Sequence, residues 1–166
     1  SLIPVAPEQA ERAVEDLSEL FRASLREDGR TVPAEQELEL CERYMRLEQW
    51  RLGERLRWQG TAGAVPAGAR VPPLCVQPLL ENAVYHGIQP RPEGGTVGCR
   101  VGFEDGSLVF EVTNPLPADD DAPGSGMALP NIRARLAAIY GEAASLEAAR
   151  EGGLFRATLR LPPEPP

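Results

Sequence analysis

The segment Gln77–Gly87 contains four polar residues whose types and spacing could support chemistry. On a helix, at about 100° per residue, Glu81, Asn82, Tyr85 and His86 fall on one side and the apolar residues fall on the other. One interpretation is that these four residues form the solvent-exposed face of a surface helix. A merely solvated face, however, usually collects Glu, Lys, Arg and Gln, so the pattern also fits a face that binds a ligand.

The chemistry that these side chains favour is the binding of magnesium and phosphate. The side-chain oxygen of Asn82 is a hard, neutral ligand suited to Mg²⁺, which takes its remaining charge compensation from phosphate oxygens. Glu81 can order a metal-bound water or accept a proton, while Tyr85 and His86 can hydrogen-bond phosphate or sugar. His86 is the single histidine of the chain, and a lone histidine is more often an ordinary polar contact than a catalyst.

A glycine loop in the second half of the chain offers another phosphate-binding feature. Gly124 and Gly126 precede Pro130, which fits the first turn of a helix that Ile132 and Leu136 define. The N-terminus of a helix presents unpaired N–H groups and a partial positive charge, so a phosphate chain can bind there without many lysines. Taken alone, a Gly-Ser-Gly sequence is more typical of a mobile connection.

Helices and strands must hold these features in place. Apolar spacing of three and four residues predicts helices, and alternating β-rich runs predict strands, two of them joined by the hairpin turn Glu104–Ser107. The predicted elements are helices over 7–25, about 33–56 and 129–140, a loop over 61–70, and strands over 96–103, 108–113 and 154–161. Segregated helices and antiparallel strands make an α+β two-layer sandwich the expected architecture.

Composition limits the classes of function. At 166 residues with 42% hydrophobic residues, the chain has material for one core plus a helical appendage. Its formal charge of -8 opposes a direct nucleic-acid partner. Cys41, Cys75 and Cys99 lie far apart beside apolar residues, which predicts core positions in a reducing cytoplasm. No apolar run reaches the roughly 20 residues that span a bilayer, and the start at Ser1 suggests a fragment.

Two motifs together resemble a known family. With QPLLENAVYHG at 77–87 followed by GSGMALPNIRARL at 124–136, the chain closely resembles the LytS/AlgZ-type sensor histidine kinases, and the alginate-regulator sensor branch looks nearest. The resemblance extends upstream through 17–25 and 44–48, so it covers essentially the whole chain.

The resemblance implies a fold, cofactors and partners. It implies a helical region over 1–53 and, over 54–166, an ATP-binding domain of the Bergerat (GHKL) type that uses ATP and Mg²⁺. Such a module transfers the γ-phosphoryl group to a histidine upstream of Ser1, and thence to a response regulator, here of suspected LytTR type. A homodimer and a cytoplasmic domain are expected, with membrane contact only through other segments. By family position the site residues are catalytic Glu81, the Mg²⁺ ligand Asn82, and the ATP contacts Asn82, Tyr85, His86, Asn114, Gly124, Gly126 and Leu129.

The chain also departs from the family pattern. Asn114 stands where the family has an adenine-reading aspartate, and a neutral acceptor makes the weaker contact. The glycines after that aspartate are replaced by residues 115–117, Pro-Leu-Pro, which stiffen the backbone. Ala128 replaces the third glycine of the loop, and Tyr85 stands where many relatives have a basic residue.

Three functions therefore remain open. The first is a kinase catalytic module that binds Mg-ATP weakly, favoured by Asn82, Gly124 and Gly126. The second is a nucleotide-poor module retained for dimerisation and response-regulator docking, favoured by Asn114 and the Pro-Leu-Pro run. The third is an ATPase or protein-serine kinase on the same fold, with Glu81 as base.

Overall fold

A computed structural model describes residues 6–24, 31–63, 65–116 and 128–162. Short 3₁₀ turns at Gly53–Arg55 and Gly141–Ala143 follow the second and fourth helices. None of the helices described is both long and apolar enough to cross a membrane. The elements are α1 (Pro7–Ser24), β1 (Val32–Pro33), α2 (Ala34–Leu52), β2 (Leu56–Ala62), β3 (Arg70–Val71), α3 (Gln77–Gly87), β4 (Gly95–Glu104), β5 (Ser107–Pro115), α4 (Ala128–Tyr140), β6 (Ser145–Glu151) and β7 (Leu154–Leu161).

The main sheet has five strands in the order β2-β4-β5-β7-β6. The pairs from β4 to β6 are antiparallel, but β2 runs parallel to β4, with Leu56 opposite Gly95. The expectation of a purely antiparallel arrangement is therefore wrong at one edge. The reason is the connection: the chain crosses over through α3 between the two strands and returns in the same direction. A separate ribbon pairs β1 with β3.

Side chains alternate across the sheet and divide it into an apolar and a polar face. Cys99, Val112 and Ala157 occupy one paired row on the buried face. Neighbouring residues such as Arg100, Glu111 and Arg156 lie on the other face and are less buried. The buried face packs against α3 and α4 in one continuous core. The expected α+β two-layer sandwich preceded by two long helices is confirmed.

The same core includes α2, which precedes the sheet in sequence. Cys41 and Met45 of α2 are fully buried in the cluster that also contains Val97 and Phe110 of the sheet. All three cysteines are buried and free, in agreement with the sequence analysis. The division of the chain into 1–53 and 54–166 stays a prediction, and apolar packing crosses it.

Several element boundaries differ from those predicted. The second helix ends at Leu52 rather than near Leu56, because Gly53 adopts φ +59° and its N–H bonds back to the carbonyl of Gln49. Residues 56–62 then form β2, which takes the first residues of the predicted loop. The hairpin turn is confirmed, with Asp105 at φ +50° and Gly106 at φ +77° as a type I′ turn requires.

The outer strand β6 was not predicted. Its sequence, Ser145–Glu151, is rich in Ala and Glu, which are poor strand formers. Only Leu146 is buried, whereas residues 147–151 are exposed. The strand exists because it pairs along its length with β7.

An ion-pair cluster around the buried Asp16 joins α1 to α2. The Asp16 carboxylate accepts hydrogen bonds from Arg43 Nη1 at 3.0 Å and from Arg46 Nε at 2.7 Å and Nη2 at 2.9 Å. Burial alone raises the pKa of Asp16. Hydrogen bonds and positive charge from Arg46 and Arg43 outweigh that effect, so the pKa of this carboxyl lies below its ordinary value.

Asp16→Asn is expected to weaken the packing of α1 on α2, because the amide keeps the shape but loses the charge that the arginines bind. We expect a loss of about 1–2 kcal/mol in the free energy of unfolding at pH 7. Because the folded pKa is the lower one, the wild-type advantage is complete above the unfolded value of about 3.9 and is lost as pH falls through the folded value.

Urea unfolding followed by circular dichroism at several pH values measures this effect. The exposed neighbour Glu15, changed to Gln, is the matched control and should unfold like wild type. Equal stability of wild type and D16N at pH 7, or a difference that grows as the pH falls below 3.9, would contradict the prediction.

Candidate functional site

Asn82 lies in the middle of α3 and is half-buried. Leu79, Leu80, Ala83 and Val84 pack the opposite side of the helix into the core, so the predicted division of the helix into two faces is confirmed at these positions. Among the residues that the structure describes, none hydrogen-bonds the Asn82 carboxamide. Its oxygen is therefore free to bind a ligand.

Glu81 and Tyr85 lie on the outer side of α3. Glu81 is exposed and accepts a hydrogen bond from Gln77 Nε2 at 2.9 Å. Burial, with added repulsion from the carboxylates of Glu48 and Glu81, raises the pKa of Tyr44 on α2. Tyr85 is 54% exposed.

His86 departs from the predicted polar face. It is only 7% exposed, and its ring meets that of Tyr85 edge-on with 4.8 Å between centroids. Burial lowers the pKa of His86, so the ring is neutral at pH 7. A neutral imidazole can offer one donor and one acceptor to a ligand, but no charge. Its assignment as an ATP contact stays a prediction.

Asn114, near the end of β5, lies directly against the last turn of α3. It is 2% exposed. A Cβ atom added at Gly87 would lie 2.8 Å from Asn114 Cβ and 2.9 Å from its Cγ, well inside van der Waals contact. Only glycine at position 87 lets the helix approach the strand this closely. The structure therefore brings Asn114 against the end of the 77–87 motif, although the two lie 27 positions apart in the sequence.

The backbone that follows Asn114 is tied down. Asn114 Nδ2 donates to the carbonyl of Pro115 at 2.7 Å. The carbonyl of Leu116 accepts from Arg91 Nη1 at 3.3 Å, and the Leu116 N–H donates to the carbonyl of Gly153 at 3.2 Å. This fits the stiffening that the sequence predicts for the Pro-Leu-Pro run, whose last residue lies outside the described residues.

The glycine loop itself lies outside the described residues, and with it Gly124 and Gly126. The helix that it feeds, α4, begins at Ala128 and has Pro130 in its first turn, as predicted. Leu129 is partly buried against the core. The site roles of these three residues stay predictions.

Arg133 and Arg135 of α4 hydrogen-bond carbonyl oxygens of the fold. Arg133 Nε donates to Leu146 O at 2.9 Å. Arg135 donates to the carbonyls of Leu74 at 3.1 Å and Pro73 at 2.5 Å. Both side chains therefore anchor α4 to its neighbours in the fold.

A buried carboxylate at the start of α3 was missed by the sequence analysis. Glu37 of α2 is fully buried. It accepts hydrogen bonds from the backbone N–H groups of Leu74 at 2.8 Å, Val76 at 2.9 Å and Gln77 at 3.4 Å. Burial raises the pKa of Glu37, and these N–H groups only partly offset it. The helix has no side-chain cap of its own, so Glu37 supplies one from another element.

A half-buried arginine lies at the other end of the same helix. Arg55, in the turn after α2, donates through Nη2 to the carbonyls of Ile88 at 3.3 Å, Gln89 at 2.9 Å and Arg91 at 2.9 Å. A positive charge at the C-terminus of a helix complements its dipole, as a negative charge does at the N-terminus. Neither residue could be found from sequence, because each acts on a helix more than 20 positions away.

Two cavities bear on ligand binding. One of about 270 Å³ lies between α3 and α4 and is lined by Pro78, one turn before Asn82, and by Ile132 and Arg135. It is slightly smaller than the roughly 300–1,000 Å³ of typical ligand pockets, and none of the predicted site residues lines it. A larger groove of about 610 Å³ runs along β2, β4 and β5 and is lined by none of the predicted site residues.

The donor set at α3 suits a magnesium ion that arrives with phosphate. The described residues contain no cluster of three or more His, Cys, Asp or Glu side chains that could hold a metal. One neutral amide oxygen, with no internal partner among them, matches an ion that keeps waters and takes most of its other ligands from substrate phosphates.

Comparison with known sequences places the chain among sensor kinases. A family model described as histidine kinase matches residues 1–56. The sensor protein LytS of Staphylococcus saprophyticus is 30% identical over 161 residues, which cover 89% of this chain and 27% of that protein. The chain therefore spans about a quarter of the length of this relative.

Comparison with solved structures shows the same fold. The nucleotide-free catalytic domain of the histidine kinase ThkA superposes with a TM-score of 0.63 at 11% identity, covering 82% of this chain and 98% of that domain. Full-length ShkA in complex with AMPPNP gives a TM-score of 0.58 at 19% identity, covering 90% of this chain and 35% of that one. The two-layer sandwich is thus that of a histidine kinase catalytic domain. In sequence, the chain is similar to the LytS type of sensor histidine kinases over most of its length.

Proposed function

We propose that this chain is the ATP-binding catalytic module of its sensor kinase. It would transfer the γ-phosphoryl group of Mg-ATP to a histidine outside this sequence, from which the group passes to a response regulator. The observation that carries the proposal is the half-buried Asn82 carboxamide, which has no internal partner among the described residues and lies on a helix whose last turn contacts the buried Asn114.

Asn82 and Glu81 take different roles in this proposal. Bound Mg²⁺ would supply charge neutralisation to the phosphate oxygens. Asn82 would hold that ion, and the exposed carboxylate of Glu81 would accept the proton of the attacking histidine. Tyr85 and His86 would contact phosphate or sugar as neutral hydrogen-bonding groups, and the start of α4, with Leu129, would lie against the nucleotide.

Asn114 would read the adenine amino group as a neutral acceptor. Its Nδ2 donates to the carbonyl of Pro115, which leaves the carboxamide oxygen to accept. Hydrogen bonds to charged acceptors are roughly twice as strong as those between neutral groups, so the adenine contact should be weaker than an aspartate would make. Modest nucleotide affinity follows.

The neutral Asn114 and the rigid backbone after it also favour a second candidate function. In that function the chain is a nucleotide-poor module that serves dimerisation and docking of a response regulator. Pro115 and the anchored Leu116 hold the adenine end of the site rigid. A rigid segment with a neutral acceptor would suit a scaffold as well as a weak kinase.

Isothermal titration calorimetry of the chain with ATP, with and without Mg²⁺, separates the two functions. We expect Mg-dependent binding with a Kd between about 10 μM and 1 mM, that is, between about −7 and −4 kcal/mol. The absence of heat at millimolar nucleotide would favour the scaffold. Mg-independent binding would contradict the role of Asn82.

An apolar stripe on α1 supports the proposal that the protein is a homodimer. Val14, Leu17 and Phe21 recur at helical spacing and are 65%, 62% and 63% exposed. We expect them to pack against a second copy, because a monomer rarely leaves such a row in water. In a longer chain that includes the phosphoacceptor region, sedimentation should show a dimer that Leu17→Arg weakens and the neighbouring Glu11→Arg does not. A wild-type monomer would contradict the proposal.

A further inference from the structure

Both ends of α3 are held by charged side chains from the preceding segment. Glu37 binds the backbone N–H groups that begin the helix, and Arg55 binds the carbonyls that follow its end. The signs match the helix dipole at both ends. The segment 34–55 therefore holds both ends of α3, which is 11 residues long.

The backbone that Glu37 binds at the start of α3 includes a strained residue. Leu74 has φ +55°, a region that costs a bulky residue about 1–2 kcal/mol. Its N–H donates to Glu37 and its carbonyl accepts from Arg135 of α4. Contacts from two helices thus fix the turn from which α3 begins.

The grip at the last turn is equally close. The backbone of Arg55 lies against Gly94, where no Cβ atom could be accommodated. The loop after α3 therefore packs against the turn that carries Arg55. The guanidinium of Arg55 donates hydrogen bonds to three carbonyl groups of that loop.

We propose that Glu37 and Arg55 are positioning residues for the nucleotide site: they set the placement of α3, and through it that of Asn82, from outside the nucleotide-binding motifs. This inference rests on the proposed function. In this proposal, α2 and the turn after it help to align Mg-ATP. Substitutions that loosen either end of α3 should lower nucleotide affinity, although Glu37 and Arg55 do not themselves contact the nucleotide.

Two conservative series test the proposal. Glu37→Gln puts an amide donor where the carboxylate accepts an N–H, and Arg55→Met removes all three carbonyl bonds while Arg55→Lys can remake one or two. Exposed matched controls are Glu35→Gln, in the first turn of α2, and Arg57→Met in β2. Should E37Q fail to fold, the Arg55 pair still decides.

Hydrogen exchange without nucleotide is the first readout. We expect E37Q and R55M to speed exchange in α3 about tenfold or more, while β5 and β7 keep wild-type protection. Calorimetry is the second: the Kd for Mg-ATP should rise about tenfold in E37Q and R55M, rise less in R55K, and stay within about twofold of wild type in E35Q and R57M.

Each other result overturns the inference. Unchanged hydrogen exchange in α3 would mean that Glu37 and Arg55 do not hold the helix. Faster exchange in α3 with an unchanged Kd for Mg-ATP would mean that they hold the helix but do not position the nucleotide site. Equally faster exchange in β5 and β7 would mean that the variants lower the stability of the whole fold. If the wild-type chain itself fails to bind Mg-ATP, the proposed function fails, and the positioning role fails with it. The exchange data would still show whether Glu37 and Arg55 hold the ends of α3.

Discussion

Replacing Asn82 with alanine is expected to abolish Mg-dependent ATP binding. The carboxamide is half-buried, has no hydrogen-bond partner among the described residues, and offers a hard oxygen ligand from the middle of α3. Its loss should weaken binding by about a hundredfold, or about 3 kcal/mol, which removes measurable heat for a site that starts near 100 μM. Because the side chain makes no bond within the described fold, stability should stay within about 0.5 kcal/mol of wild type.

Two further variants make this result specific. Asn82→Asp keeps an oxygen ligand and should retain some Mg-dependent binding, and Gln59→Ala, an exposed polar position on β2, should bind like wild type. Identical isotherms for wild type and N82A would contradict both the role of Asn82 and the catalytic proposal built on it.

Gly87→Ala is expected to damage stability and binding together. The new methyl group would overlap the Asn114 side chain, with 2.8 Å to its Cβ and 2.9 Å to its Cγ. Asn114 is buried and already bonded to Pro115, so it cannot yield without moving β5 or α3. Overpacking of this kind costs about 1–3 kcal/mol, which outweighs the gain of less than about 1 kcal/mol from better helix propensity.

Thermal unfolding and calorimetry measure the two effects of G87A. We expect a decrease in Tm of several degrees, at about 2–4 °C per kcal/mol, and a Kd for Mg-ATP at least about tenfold higher because Asn114 is displaced. Gly102→Ala is the control, since its added methyl would meet only Arg100 Nη1 at 3.6 Å and Glu104 Oε1 at 3.9 Å. Wild-type stability and affinity in G87A would show that the contact between α3 and β5 is dispensable.

Local patterns in the sequence were sufficient for the elements that carry their own signal. The hairpin around Asp105 and Gly106, the amphipathic α1 and the alternating β7 need no partner to be recognised. The outer strands β2 and β6 were missed, because Gly60 in one and the Ala and Glu residues of the other give weak strand signals. Pairing with β4 and β7 decides their conformation.

The candidate site shows the same limit. The face of α3 with Asn82 followed from helical spacing, and Asn114 followed from the family resemblance. The burial of His86 did not, because it depends on what packs beside the last turn of the helix. Glu37 and Arg55 were unpredictable for a related reason: in the sequence each is one of many charged residues, and only the tertiary fold brings it to the end of α3.

The outer strand β6 leaves one long edge of the main sheet without a neighbouring strand among the described elements. Such an edge can recruit another chain, and a dimer formed by edge pairing would compete with one formed through α1. Strand β6 counters this with charge: Glu147, Arg150 and Glu151 are exposed along it, and its remaining exposed positions are alanines. Another strand could pair with that border only by desolvating these charged side chains, which discourages fibrous aggregation.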